Sequence, residues 1–155
     1  MHSGKSAAQE KMLDEFYTWN PSTMGIGHDL GRILLAEDDE HTRELVFWLL
    51  IREGYQVAQY SDGIQAVDSL GYFSHAAPRQ FFDLIICELR LPGVTGLEII
   101  ELSQETKKIT PIMLFTECGN EEINERALVL GAAAVLNKPF SDKYFLTKVR
   151  EILPQ

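Results

Sequence analysis

The amino-acid sequence predicts an α/β protein with one open, mostly parallel sheet that carries helices on both of its faces. Three observations favour this class. Short, unbroken apolar runs recur along the chain, as is typical of strands buried on both faces. Segments with apolar residues at helical spacing separate these runs. Capping residues stand where the helices would begin and end. Strands and helices that alternate in this way form βαβ units and a parallel sheet.

The alternating pattern starts at Arg32 with two strand–helix pairs. The first predicted strand is the apolar run 33–36, and the helix at 41–52 follows it with four apolar residues on one face. Gly54 is in position to cap that helix. The second predicted strand covers 56–60. A helix that runs to about residue 70 comes next, with Ser61 and Asp62 available as caps.

Three further pairs complete the predicted domain. A buried strand at 84–87 leads through a Leu-Pro-Gly turn into a helix at 96–105. A fourth strand at 112–115 precedes a helix at 120–130, which a glycine ends. The fifth strand, at 133–136, is weaker because alanine fills much of it. Ser141 then caps a last helix that runs to about residue 153.

Residues 1–31 form an N-terminal extension distinct from the domain at 32–155. Met12, Leu13, Phe16 and Tyr17 fall on one helical face, so residues 7–19 are compatible with a short amphipathic helix. A break at 20–23 and several glycines would then make a linker. A solvated tail and a docked helix are both open at this point.

Composition excludes several function classes. The net charge is −9 and the basic residues are scattered, which argues against nucleic acid and anionic membranes as partners. No apolar run approaches a membrane span, and the N-terminus lacks the apolar region of a secretory signal. The cysteines, Cys87 and Cys118, make no disulfide framework, so a cytoplasmic location is expected. Cys87 is best interpreted as a buried apolar residue.

Polar residues follow four of the predicted strands. They are Glu37-Asp38-Asp39, Glu88, Thr116-Glu117 and Asn137-Lys138-Pro139. In an open parallel sheet these strand ends meet at one edge, where ligands bind. Clustered carboxylates favour a divalent cation, and an all-oxygen ligand set with open positions suits Mg²⁺. A hydroxyl and an ammonium facing that ion can hold a phosphoryl group. Each motif alone has an ordinary structural explanation, and only their agreement indicates a site.

Four ordered segments carry a resemblance to a known family: ILLAEDDE (33–40), DLIICELRLPGVTGLE (83–98), PIMLFT (111–116) and NKPF (137–140). They resemble the receiver domains of two-component response regulators, over about residues 32–153. The resemblance implies a flavodoxin-like fold with strand order 2-1-3-4-5. It also implies a cis bond between Lys138 and Pro139.

The same resemblance implies a role for each site residue. Asp38 would bind Mg²⁺ directly, Glu37 through water, and Arg90 through its backbone carbonyl. Glu88 stands at the phosphoacceptor position and would also face the metal. Thr116 matches the switch hydroxyl and Lys138 the phosphate-binding lysine. The implied partners are a histidine kinase or phosphotransfer protein and downstream effectors, with a homodimer left open.

Three residues depart from the family pattern. Glu88 replaces the usual aspartate and is one methylene longer, which either abolishes phosphorylation or imitates it; the two interpretations stand about level. Glu117 replaces a residue that is commonly small, and we expect it to face solvent. Val135 replaces an aromatic switch residue, so signalling would have to pass through the loop after Thr116 or the helix at 120–130.

Three functions follow from these residues. The first is a non-enzymatic interaction module that uses the face of the helices at 120–130 and 141–153. The alternative is a phosphorylatable receiver that catalyses Mg²⁺-dependent phosphotransfer. A cofactor-binding domain of the same fold is disfavoured, because no Gly-rich phosphate loop follows the first strand.

Overall fold

The computed structural model describes residues 30–72, 80–105, 110–117 and 120–154. Five strands and five helices alternate along this part of the chain. The strands are β1 (Arg32–Ala36), β2 (Gln56–Tyr60), β3 (Leu84–Glu88), β4 (Ile112–Thr116) and β5 (Ala134–Asn137). The helices are α1 (Glu40–Glu53), α2 (Gly63–Ser69), α3 (Gly96–Gln104), α4 (Glu121–Leu130) and α5 (Asp142–Ile152). The proposed helix at 7–19 lies outside the described residues and stays a prediction.

All strand pairs are parallel, and the order in the sheet is β2-β1-β3-β4-β5. This confirms the predicted flavodoxin-like arrangement. Every residue of β3 and β4 is buried, because helices cover the central strands on both faces. Because all five strands are parallel, their C-terminal ends meet at one edge of the sheet, and the polar residues that follow them lie along that edge.

Two apolar layers sandwich the sheet. One contains Val46 and Leu50 of α1 together with Phe145 and Val149 of α5. The other layer lies beneath α2, α3 and α4, and Ile99 is one of its fully buried members. Burial of this kind supplies the main driving force for folding. No helix within the described part of the chain is long and apolar enough to cross a membrane.

The helix caps predicted at Asp62, Ser141 and Gly54 are confirmed, and the structure adds N-caps at Asp39 and Asn120. Asp39, Asp62, Asn120 and Ser141 each accept a backbone N–H two or three positions into their helix. Gly54 ends α1 with φ at +107°, a left-handed conformation that favours glycine. Together these caps place the first turns of the helices next to the polar strand ends.

The predicted bounds differ from the observed ones by a residue at several ends. The clearest correction is β5, which was expected at 133–136 and covers Ala134–Asn137. Pairing with β4 explains the shift, since Thr116 is in register with Asn137. The Lys138–Pro139 bond is cis, as the resemblance implied.

Candidate functional site

The predicted polar residues converge at the C-terminal edge of the sheet. One pocket of about 360 Å³ is lined by Glu37, Asp38, Asp39, Glu88, Arg90, Thr116, Glu117 and Lys138. These residues come from four separate strand ends, as the sequence analysis predicted. Their convergence follows from the parallel sheet, because successive strands of such a sheet finish on the same side.

The central feature of the pocket is an ammonium between two carboxylates. The Nζ of Lys138 lies 2.6 Å from Oε2 of Glu88 and 2.8 Å from Oε2 of Glu37. The side chains are largely withdrawn from water, with exposed fractions of 12% for Lys138, 7% for Glu88 and 1% for Glu37. Both contacts are charge-assisted hydrogen bonds, the stronger kind in proteins. This three-residue charge cluster is buried, not a set of surface ion pairs.

The second oxygen of each clustered carboxylate accepts a backbone N–H. The N–H of Asp39 donates to Oε1 of Glu37 at 3.0 Å. The N–H of Arg90 donates to Oε1 of Glu88 at 3.4 Å, at the long limit for such a bond. All four carboxylate oxygens of Glu37 and Glu88 thus have a donor within the chain.

The electrostatics of the cluster reflect burial and pairing. Burial raises the pKa of Glu37, and hydrogen bonds from Lys138 and Asp39 only partly oppose that shift. For Lys138, burial acts to lower the pKa, but its contacts with Glu37 and Glu88 outweigh burial and raise it. The ammonium is therefore held in its charged form by its two neighbours.

The strands and an aromatic group hold Lys138 in place. Its backbone N–H donates to the carbonyl of Thr116 at 2.9 Å, and its Nζ lies 5.9 Å from the centre of the Phe115 ring. Phe115 in turn packs against Phe140 and Phe145, with ring centres 4.9 Å and 5.7 Å away. The backbone hydrogen bond and the packed rings therefore hold Lys138 in a position from which its ammonium reaches the two carboxylates.

Arg43, on the first turns of α1, was not singled out from the sequence. Its Nη1 donates to the backbone carbonyl of Glu37 at 2.7 Å and to that of Asp38 at 3.4 Å. It therefore brings a second positive charge to the loop that carries Glu37 and Asp38. The sequence feature that could have identified Arg43 is a basic residue in the helix that directly follows the acidic residues at the end of β1.

The remaining site residues lie at the mouth of the pocket or beneath it. Asp38, Arg90 and Glu117 are exposed, and the expected solvent exposure of Glu117 is confirmed. Thr116 is buried at the end of β4, 2% exposed. Val135 is half-buried and packs against the apolar layer beneath α4.

The pocket does not fit a divalent cation as it stands. The expected Mg²⁺ ligands share one pocket, but Lys138 and backbone donors already engage the oxygens of Glu37 and Glu88. Among residues 30–72, 80–105, 110–117 and 120–154, no group of three or more His, Cys, Asp or Glu side chains is arranged to hold a metal ion. Mg²⁺ binding therefore stays a prediction.

Comparison with known proteins agrees with the fold. Residues 33–150 match the response regulator receiver domain family. This chain belongs to that family. The phosphate regulon transcriptional regulatory protein PhoB of Klebsiella pneumoniae is 33% identical over 125 residues, which cover 79% of this chain and 51% of that protein. The transcriptional regulatory protein CpxR of Escherichia coli K12 is 32% identical, over 80% of this chain and 50% of the relative.

A solved structure supports the receiver assignment. The chemotaxis response regulator CheY4 of Vibrio cholerae is 27% identical with a TM-score of 0.69, covering 79% of this chain and 98% of that one. The chain spans about half the length of the curated relatives it matches. The protein is therefore a receiver domain of a two-component response regulator, and the matched relatives are regulators rather than enzymes.

Proposed function

We propose that this receiver domain is a signalling protein-interaction module that does not depend on phosphorylation, because the contact between Glu88 and Lys138 takes the place of a phosphoryl group. The observation that carries the proposal is the 2.6 Å contact between Nζ of Lys138 and Oε2 of Glu88. In the family pattern that lysine binds the phosphoryl group. Here the lysine already donates a hydrogen bond to the longer carboxylate of Glu88.

The position of Glu88 also disfavours attack on a phosphodonor. A carboxylate that accepts from Lys138 at 2.6 Å and from the N–H of Arg90 has to break the first of these contacts before that oxygen can act as a nucleophile. The Glu88 side chain is only 7% exposed. In-line displacement also loses about 10²-fold in rate for a misplacement near 1 Å, and an added methylene shifts the carboxylate by about that much.

The alternative function is a phosphorylatable receiver that performs Mg²⁺-dependent phosphotransfer from a histidine kinase. It is favoured by the retained Asp38, Thr116 and Lys138, which line the same pocket as Glu88. That function requires Lys138 to give up at least one of its carboxylate partners first. The two functions make opposite predictions for chemical labelling.

The labelling experiment uses acetyl phosphate with Mg²⁺, and intact mass as the readout. The unaltered chain is compared with Glu88→Asp, which restores the family's usual acceptor. We expect a phosphoryl adduct on Glu88→Asp and none on the unaltered chain. A stable, stoichiometric adduct on Glu88 would refute phosphorylation-independence and establish the alternative.

The imitation of the phosphorylated state has its own test. Amide NMR spectra of the unaltered chain are compared with those of Glu88→Asp, recorded with and without beryllofluoride, an analogue of the phosphoryl group. If Glu88 imitates phosphorylation, the amides of α4 and β5 in the unaltered chain match the beryllofluoride-bound spectrum. A match to the analogue-free spectrum would instead mean that the glutamate only abolishes phosphorylation.

We propose that partners bind the face formed by α4 and α5. Three large apolar side chains are exposed there: Leu128 at 51%, Val129 at 86% and Tyr144 at 49%. Exposed apolar side chains that form a patch mark interaction sites, and these three lie on the two helices of the proposed face. The proposed partners are a histidine kinase or phosphotransfer protein and downstream effectors in the cytoplasm.

A homodimer through this face is tested by sedimentation of the chain and of Val129→Asp.

A further inference from the structure

We infer that Lys138 and Arg43 act as built-in counter-ions that replace the divalent cation of the acidic pocket, so that this receiver domain is metal-independent. The inference rests on where the donors of the chain lie. It deepens the proposed function, on which it rests only in assuming that the pocket works without a phosphoryl group. Metal binding is measured separately, without a phosphodonor.

The first step is the occupancy of the carboxylate oxygens. A cation binds a carboxylate through oxygen lone pairs, and Lys138 takes one oxygen each from Glu37 and Glu88, at 2.8 Å and 2.6 Å. The other two oxygens accept the backbone N–H groups of Asp39 and Arg90. A divalent cation at these oxygens would have to compete with two charge-assisted bonds, the stronger class of hydrogen bond.

The second step is charge. Five carboxylates line the pocket, those of Glu37, Asp38, Asp39, Glu88 and Glu117, and close carboxylates repel one another unless a cation lies between them. Lys138 bridges two of them directly. Arg43 donates to the backbone carbonyls on which Glu37 and Asp38 are carried. The two basic residues together carry the same positive charge as one divalent ion, and so they offset part of this repulsion without a metal.

The third step is rigidity. An ammonium on a mobile side chain would yield readily to a divalent ion, but Lys138 is fixed from two sides. Its backbone N–H is bonded to Thr116, and its Nζ lies over the ring of Phe115, which Phe140 and Phe145 pack against. Only 12% of the side chain is exposed. Lys138 is already held in position in the folded chain, so little free energy is gained when a metal ion replaces its ammonium.

The test is a titration of the full chain with Mg²⁺ alone, followed by calorimetry and by the amide shifts of residues 37–39 and 88–90. Lys138→Met is the test variant. Lys148→Met is the matched control, because Lys148 is a lysine of α5 that pairs with Glu151 outside the pocket. We expect the unaltered chain and the control to show no saturation in the millimolar range. Lys138→Met should bind Mg²⁺ at least about 100-fold more tightly, since removing a unit charge a few ångströms from a divalent ion relieves a large repulsion.

A second variant keeps the test decisive if Lys138→Met folds poorly. Glu88→Asp withdraws the carboxylate by one methylene and so loosens its contact with Lys138, and it should bind Mg²⁺ at least about tenfold more tightly than the unaltered chain. Equal affinities of the unaltered chain and Glu88→Asp, or submillimolar binding by the unaltered chain, would overturn the inference. Tight Mg²⁺ binding without labelling of Glu88 would sink this inference and leave the proposed function standing. Labelling of Glu88 would overturn the proposed function, and the Mg²⁺ titration, which uses no phosphodonor, would still decide this inference by itself.

Discussion

Removal of the Lys138 ammonium tests the buried charge cluster most directly. Lys138→Met keeps an aliphatic side chain of similar length but leaves the carboxylates of Glu37 and Glu88, 1% and 7% exposed, without their shared cation. Breaking a buried ion pair by removing one partner typically costs about 3–5 kcal/mol. The carboxylates can limit this cost by taking up one proton and sharing it.

The cost of that proton sets the magnitude. A carboxyl group with the ordinary pKa of 4.5 lies two and a half units below pH 7, and each unit corresponds to about 1.36 kcal/mol. Protonation therefore costs about 3.4 kcal/mol at pH 7 and about 0.7 kcal/mol at pH 5. We expect Lys138→Met to lose about 3 kcal/mol of unfolding free energy at pH 7 and about 1 kcal/mol at pH 5.

The sign follows from linkage. In the variant, the shared proton raises the pKa of one carboxyl group in the folded state above its value in the unfolded state. The folded state then binds more protons, so stability is highest at low pH and is lost as the pH rises through the raised pKa. The unaltered chain, whose carboxylates keep Lys138, should show a much smaller change over the same range.

Urea unfolding followed by circular dichroism measures the effect. A loss of about 3 kcal/mol lowers the urea midpoint by about 1.5 M if the slope is near 2 kcal/mol per molar. Lys148→Met, which breaks a solvent-exposed pair, should change stability by less than about 1 kcal/mol. Adding Glu88→Gln to Lys138→Met should restore much of the loss at pH 7. An equal loss at pH 5 and pH 7, or a loss below about 1 kcal/mol at pH 7, would refute the reasoning.

Three other predictions follow from single residues. Asp39→Ala removes the N-cap of α1 and should cost about 1 kcal/mol in urea unfolding at pH 7. Because the hydrogen bonds from Thr42 lower the pKa of Asp39, that difference should vanish as the pH falls below the usual aspartate range. Phe145→Ala, at a fully buried site, should lower the unfolding free energy by about 3–5 kcal/mol; the neighbouring Tyr144→Ala, 49% exposed, should change it by about 0.5 kcal/mol or less. Burial raises the pKa of the Cys87 thiol, so peptide mapping should find Cys87 unlabelled by iodoacetamide in the folded chain and labelled in urea; rapid labelling of the folded chain would contradict its burial.

The strands of the sheet and the residues of its functional edge could be predicted from the sequence pattern, whereas the strand order came from the resemblance to receiver domains. The apolar runs of β3 and β4 are short and unbroken because both of their faces are buried. Burial on two faces requires consecutive apolar residues, and the sequence shows such a run directly. Helix caps such as Asp62 and Gly54 act within a few residues of themselves, so the sequence pattern also reveals them. The departures at Glu88 and Val135 were also visible, since each is a difference of residue type at a known place in a motif.

The partners of those residues depended on the tertiary structure. The sequence placed Lys138 at a strand end but not between Glu37 and Glu88, which are 101 and 50 positions away. It gave no sign that Arg43 donates to the carbonyls of the acidic loop, or that Glu37 is buried while its neighbour Asp38 is exposed. Backbone pattern is a local property, whereas the distance between two side chains from different strands is fixed by sheet register and packing. Charge pairing in a buried pocket varies steeply with that distance, and so only the folded chain decided which carboxylates share the lysine.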